Sequence, residues 1–127
     1  MISMMQSVID AGTGGRLRYA YGLRGQIAGK TGTTNDNSDG WFIGYTPKIT
    51  AGVWVGAEDR YVHFTSTALG QGANMALPIW GLWMKKVLAD GTLGISATDT
   101  FSSTVAVGCS TPPRQREETK ALEEEYF

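Results

Sequence analysis

Apolar and polar positions alternate along the chain in a way that predicts a short helix, three strands and a longer helix. In residues 2–11, Ile2, Met5, Val8 and Ile9 share one helical face. Gly12 then stands where a helix commonly ends in a left-handed glycine. So short a helix depends on packing for its stability. The loop Gly12-Thr13-Gly14-Gly15 and a basic, aromatic connector over 16–23 lead to the first expected strand, residues 27–34. A second strand is expected over 41–46 and a third over 49–57, with Pro47 suited to the second position of the turn between them.

Trp41, Ile43 and Tyr45 point one way along the second strand and Phe42 the other, while Ile49, Ala51, Val53 and Val55 oppose Trp54 on the third. A sheet with one wet face alternates more cleanly, so both faces are expected to be covered by helices or by another chain. Residues 58–72 read as a loop. Asn74 is a candidate N-cap for a helix over 75–90, with Pro78 in its first turn. Leu77, Trp80, Gly81, Met84, Val87 and Leu88 form its buried stripe, Lys85 and Lys86 suit its negative C-terminal end, and Gly91 closes it. A loose extension over 101–107 and a charged tail over 108–127, expected to be disordered, complete the chain. The fold class is therefore α+β: a three-stranded antiparallel sheet with a short helix before it and a longer one after, spanning residues 1–107.

Composition narrows the function. At 127 residues and 42% hydrophobic, the chain has room for one domain with a real core. A net charge of −1 gives no electrostatic reason to expect nucleic acid. The single Cys109 forms no internal disulfide, and with His63 it lacks the motif context of a thiol nucleophile and base. No apolar run approaches the ~20 residues of a membrane helix. Asp36, Asp39, Glu58 and Asp59 lack metal-site spacing, and no cofactor is expected. Trp41, Trp54, Trp80 and Trp83 read as core rather than as stacking platforms. Arg16, Arg18 and Arg24, near Tyr19 and Tyr21, read as a solvated connector rather than a phosphate site.

The chemistry concentrates in Lys30-Thr31-Gly32-Thr33-Thr34. Glycines leave the backbone open to a ligand, and an ammonium with threonine hydroxyls can bind an anion lying along the strand. The plainer alternative is a solvated lysine protecting an edge strand. Gly25 to Thr31 resembles a phosphate loop but is one residue short, and the residues that follow read as a strand and turn rather than a helix.

These motifs carry a resemblance. Gly12-Thr13-Gly14, Ala28-Gly29-Lys30-Thr31-Gly32-Thr33-Thr34, Asp39-Gly40-Trp41-Phe42-Ile43-Gly44-Tyr45-Thr46-Pro47, Val53-Trp54-Val55-Gly56 and Ala76-Leu77-Pro78-Ile79-Trp80 resemble the C-terminal part of the transpeptidase domain of class A penicillin-binding proteins. The resemblance covers about residues 1–88. It implies a D,D-transpeptidase that cross-links peptidoglycan stem peptides through an acyl-serine, binds β-lactams, and works on the outer face of the bacterial inner membrane. It further implies that Lys30 supplies positive field and aids proton traffic, and that Thr33 gives an oxyanion-hole amide. The substrate would lie on Thr31, Gly32, Thr33 and Thr34. The family's S-x-x-K and S-x-N motifs do not occur in this sequence; Ser38-Asp39-Gly40 comes nearest the second. The chain is thus expected to hold one wall of the site, to be inactive alone, to need the N-terminal part of the same domain as partner, and to self-associate without it. The alternative is a non-catalytic peptide- or cell-wall-binding module that uses the same strand.

Overall fold

The structure, a computed structural model, describes residues 1–102. The expected extension over 101–107, the tail over 108–127 and Cys109 therefore lie wholly or mostly outside the described residues. Helix α1 spans Ile2–Asp10 and is followed by a single helical turn, α2, Arg16–Tyr19. Strands β1 (Ala28–Thr33), β2 (Asp39–Tyr45) and β3 (Thr50–Gly56) form an antiparallel sheet in that order. A second helical turn, α3, spans Thr67–Gly70 within the expected loop, and α4 spans Ala76–Ala89.

Register explains which residues reach the core. Lys30 lies opposite Ile43, Gly32 opposite Trp41, and Trp41 in turn opposite Trp54. One face thus carries Lys30, Trp41, Ile43 and Trp54, and the other carries Phe42, Val53 and Val55. On the second face Ile9 of α1, Leu17, Phe42 and Trp80 of α4 are fully buried in one cluster. The Trp80 ring meets Phe42 edge-on at 5.3 Å between centroids, and its Nε1 donates to the Ala51 carbonyl at 3.1 Å. The ring lies so close to β2 that a Cβ on Gly44 would sit 2.6 Å from it. A glycine there lets the largest core side chain pack flat on the strand.

Several sequence expectations are corrected. Both helices lie on the Phe42 side, so no helix of the described residues covers the other face, where Trp41, Ile43 and Trp54 are each nearly half exposed; of the two covers expected, helices or another chain, only the first is corrected. Of the four tryptophans only Trp80 is core. Trp54 turns its Nε1 to the Asp39 carboxylate at 2.9 Å, a polar anchor that lets an indole sit on a surface. Asn74 does not cap α4, whose N-cap position is held by Met75 without a side-chain hydrogen bond; the Asn74 amide is tied to the Ala68 carbonyl instead. Gly12 is not left-handed; it is needed because a Cβ would lie 2.9 Å from the Val8 backbone. Beyond α4 it is Asp90 that caps the next turn, accepting from Thr92 N–H, and Gly94 that takes the left-handed conformation.

Candidate functional site

Among the described residues strand β1 is a sheet edge, with β2 on one side only. The direction of its backbone groups follows from one bond: Thr34 N–H donates to the Asp39 carbonyl across the turn at 3.1 Å. Hydrogen-bonded and non-bonded pairs alternate in an antiparallel ladder, so Gly32 and Lys30 also direct their amides to β2. Thr31 and Thr33 direct theirs the other way, into the unpaired edge. The Lys30 side chain starts on the open face and curls round this edge, its Nζ donating to the Thr31 carbonyl at 2.7 Å. An ammonium, two outward amides and two hydroxyls therefore meet along one line.

The hydroxyls are held from the helix-bearing side. Thr33 Oγ1 accepts from Gly72 N–H at 3.1 Å, which leaves its own proton free to donate. Thr31 Oγ1 lies 3.2 Å from Thr13 Oγ1. Two hydroxyls sharing one bond keep one proton unspent. Gly72 fits where it does because it has no side chain: a Cβ would lie 2.4 Å from the carbonyls of both Gly32 and Trp41.

Thr34 departs from the expected set. Its Oγ1 donates to the Asp39 carboxylate at 3.0 Å and accepts from Asp39 N–H at 2.9 Å, with Ser38 Oγ also at 3.0 Å. This hydroxyl closes the β1–β2 turn and does not reach the edge. The turn carries two consecutive residues with positive φ, Asp36 and Asn37, both of types that tolerate it. Lys30, Thr31, Gly32 and Thr33 remain together.

Thr13, Gly72 and Arg16 were not legible as site residues. Arg16 of the connector lines an open cavity of about 300 Å³ with Gly12, Thr13, Tyr19, Gln71 and Asn74, beside the edge. Arg18, two residues on, is instead forked onto the Asp10 carboxylate at 2.7 and 2.9 Å. In the sequence Thr13 stands only within the Gly12-Thr13-Gly14 motif of the resemblance, with no role of its own. His63 bonds its neighbour's carbonyl, on Phe64, and borders a separate apolar cavity of about 270 Å³. Among the described residues no group of three His, Cys, Asp or Glu could hold a metal ion, and no helix is long and apolar enough to cross a membrane.

No family model matches the sequence. Individual relatives do. Over 94 residues, 71% of the chain, it is 46% identical to penicillin-binding protein 1A of Pseudomonas aeruginosa. It is 42% identical over 89 residues to the protein of the same name from Aquifex aeolicus. Its fold matches the crystal structure of penicillin-binding protein 1A from Haemophilus influenzae with a TM-score of 0.62 and 26% identity, covering 87% of this chain and 15% of that one. The chain belongs to the class A penicillin-binding protein family, and its sheet and helices are a segment of the penicillin-binding fold. Both of these relatives carry the name penicillin-binding protein 1A, and the chain spans about 10% of the length of each.

Proposed function

We propose that the β1 edge is one wall of a D,D-transpeptidase site, receiving a peptidoglycan stem peptide, or a β-lactam in its place, as an added strand. The observation that carries this reading is the convergence of the Lys30 ammonium with the outward amides and the hydroxyls of Thr31 and Thr33. An extended peptide pairs with an unpaired strand edge through its backbone. Its C-terminal carboxylate accepts from the two threonine hydroxyls, and Lys30 lowers the cost of holding that charge. The Thr33 amide donates to the oxyanion that forms when a serine attacks the penultimate carbonyl. Gly32 leaves the strand low enough for close approach.

The serine itself comes from an S-x-x-K motif that this sequence does not contain, so the chain acts with the rest of the domain to which it corresponds. The reaction passes through an acyl-serine and ends on an amine, cross-linking two stem peptides at the outer face of the inner membrane. A non-catalytic peptide- or wall-binding module that uses the same edge strand is the second reading, favoured by the presence of Lys30, Thr31 and Thr33, the groups that would hold a peptide carboxylate, within this chain.

One experiment with two arms tests the first reading. In a protein that joins this segment to an S-x-x-K serine, Lys30→Ala is expected to slow acylation by benzylpenicillin strongly and leave the melting temperature unchanged, because the side chain is exposed and bonds only a surface carbonyl. An unchanged rate removes Lys30 from its role. The chain alone, incubated with excess benzylpenicillin and denatured, is expected to keep its mass, since none of its serines has a lysine one helical turn ahead to take its proton. A stable adduct on any serine overturns the division of labour.

A further inference from the structure

We infer that the cavity beside the β1 edge is a second anion subsite, which takes a side-chain carboxylate of the peptide whose C-terminal carboxylate lies on Thr31 and Thr33. It rests on the edge reading above and adds a preference within it: a peptide with two carboxylates over one with a single carboxylate.

Arg16 is the reason. It is half-buried, yet no carboxylate lies within ion-pair reach of it among the described residues, where the ion pairs are Arg18 with Asp10 and Lys48 with Asp99. Its guanidinium makes one long contact, Nη1 to the Ala73 carbonyl at 3.4 Å. Of five N–H donors, at most one is spent among the described residues. The cavity it faces has no acidic side chain in its wall. A guanidinium with its donors unspent and its rotation limited by burial is suited to grip a carboxylate with two parallel bonds.

The position of the cavity ties it to the edge. Thr13, in its wall, meets the Thr31 hydroxyl at 3.2 Å. Gln71 and Ala73, also in its wall, flank Gly72, whose N–H holds the Thr33 hydroxyl. The two segments that set the threonine hydroxyls thus also build the cavity, on the helix-bearing side of the sheet. A strand added at the edge sends alternate side chains to that side. The exposed ring of Tyr19 forms a further part of the wall, against which the methylenes of a long acidic side chain can pack.

The test uses two peptides that differ only in this group, acetyl-Glu-D-Ala-D-Ala and acetyl-Gln-D-Ala-D-Ala, titrated into the chain and followed by backbone amide NMR. The Glu peptide is expected to bind about two- to fivefold more tightly, as one partly exposed charge pair allows. It should shift the amides of Gly12 to Arg16 and Gln71 to Asn74, and the preference should shrink with added salt. Arg16→Gln is expected to bring the Glu peptide down to the Gln peptide's affinity and leave the Gln peptide unmoved. Arg16→Lys, which keeps charge without the planar fork, should retain part of the preference. A purely structural Arg16 would weaken both peptides together and leave their ratio intact, which overturns the subsite. Equal wild-type affinities, or no binding of either peptide, also overturn it. Thr31→Val separates this inference from the reading beneath it. Loss of affinity for both peptides with no Glu preference keeps the edge and removes the subsite. A Glu preference lost in Arg16→Gln but untouched by Thr31→Val keeps the Arg16 site and removes the edge.

Discussion

Replacing Gly72 by alanine should damage the fold and the edge together. The added Cβ would stand 2.4 Å from the carbonyl oxygens of Gly32 and Trp41. Ordinary carbon–oxygen contacts begin near ~3.3 Å, so the segment must lift by about 1 Å from the sheet. Lifting it breaks the 3.1 Å bond from Gly72 N–H to Thr33 Oγ1. It also strains the first turn of α4, where the Gly72 carbonyl accepts from Ala76 and Leu77 at 3.1 and 2.9 Å. Overpacking against backbone costs about 1–3 kcal/mol and a lost hydrogen bond about 1 kcal/mol, giving a total near 2–4 kcal/mol. With a urea slope of about 1.5 kcal/mol/M, the midpoint should fall by roughly 2 M. Urea unfolding followed by tryptophan fluorescence measures it, and Gly91→Ala serves as the control, since a Cβ there meets nothing within 4 Å. The Thr33 amide resonance should move in the first variant and not in the second. A loss below about 0.5 kcal/mol for Gly72→Ala, the range of an ordinary surface change, would refute the close approach on which the site geometry depends.

Two further outcomes are expected. The open face of Trp41, Ile43 and Trp54 should drive concentration-dependent self-association of the chain, visible in light scattering over a dilution series. Ile43→Glu, opposite Lys30 in the register, should reduce it without unfolding the sheet, and a wild-type monomer at high concentration would count against this use of the face. Asp99 should tie the 95–101 segment to the sheet in a pH-dependent way. The Ser96 N–H, and then Lys48, hold its carboxyl below the ordinary aspartate value of 3.8. A depressed folded pKa contributes stability above the unfolded value and loses it as pH falls through the folded one. The Phe101–Tyr45 contact should therefore hold at neutral pH and loosen only in acid below that value, and Asp99→Asn should abolish the dependence. Loosening already near neutral pH would contradict it.

Much of the fold was legible because local patterns and packing agree. Alternation around Phe42 defined β2, and the spacing of Leu77, Trp80, Met84 and Val87 defined the buried side of α4. What failed was the inference from size to burial. Trp41 and Trp54 read as core by their apolar bulk, yet alternation puts them on the face away from the helices, while Gly40 and Gly44 are the buried positions beside Phe42. Local capping rules failed for a similar reason: Asn74 has the right chemistry for a cap, but the Ala68 carbonyl competes for it. At the site, Lys30 and the threonines stood out because their chemistry is contiguous. Thr34 shares that chemistry and is taken by the turn, which only the position of Asp39 reveals. Thr13 and Gly72 reach the strand from 18 residues before Thr31 and 39 after Thr33, separations at which no sequence pattern marks a contact.

The most direct test of the edge is amide hydrogen exchange of β1 with and without acetyl-Lys-D-Ala-D-Ala at saturating concentration. If the peptide adds as a strand, the outward amides of Thr31 and Thr33 should slow on binding. Those of Lys30 and Gly32, already bonded to β2, should not change. Slowing of Lys30 and Gly32 alone, or no change at any of the four, would contradict a ligand paired along this edge.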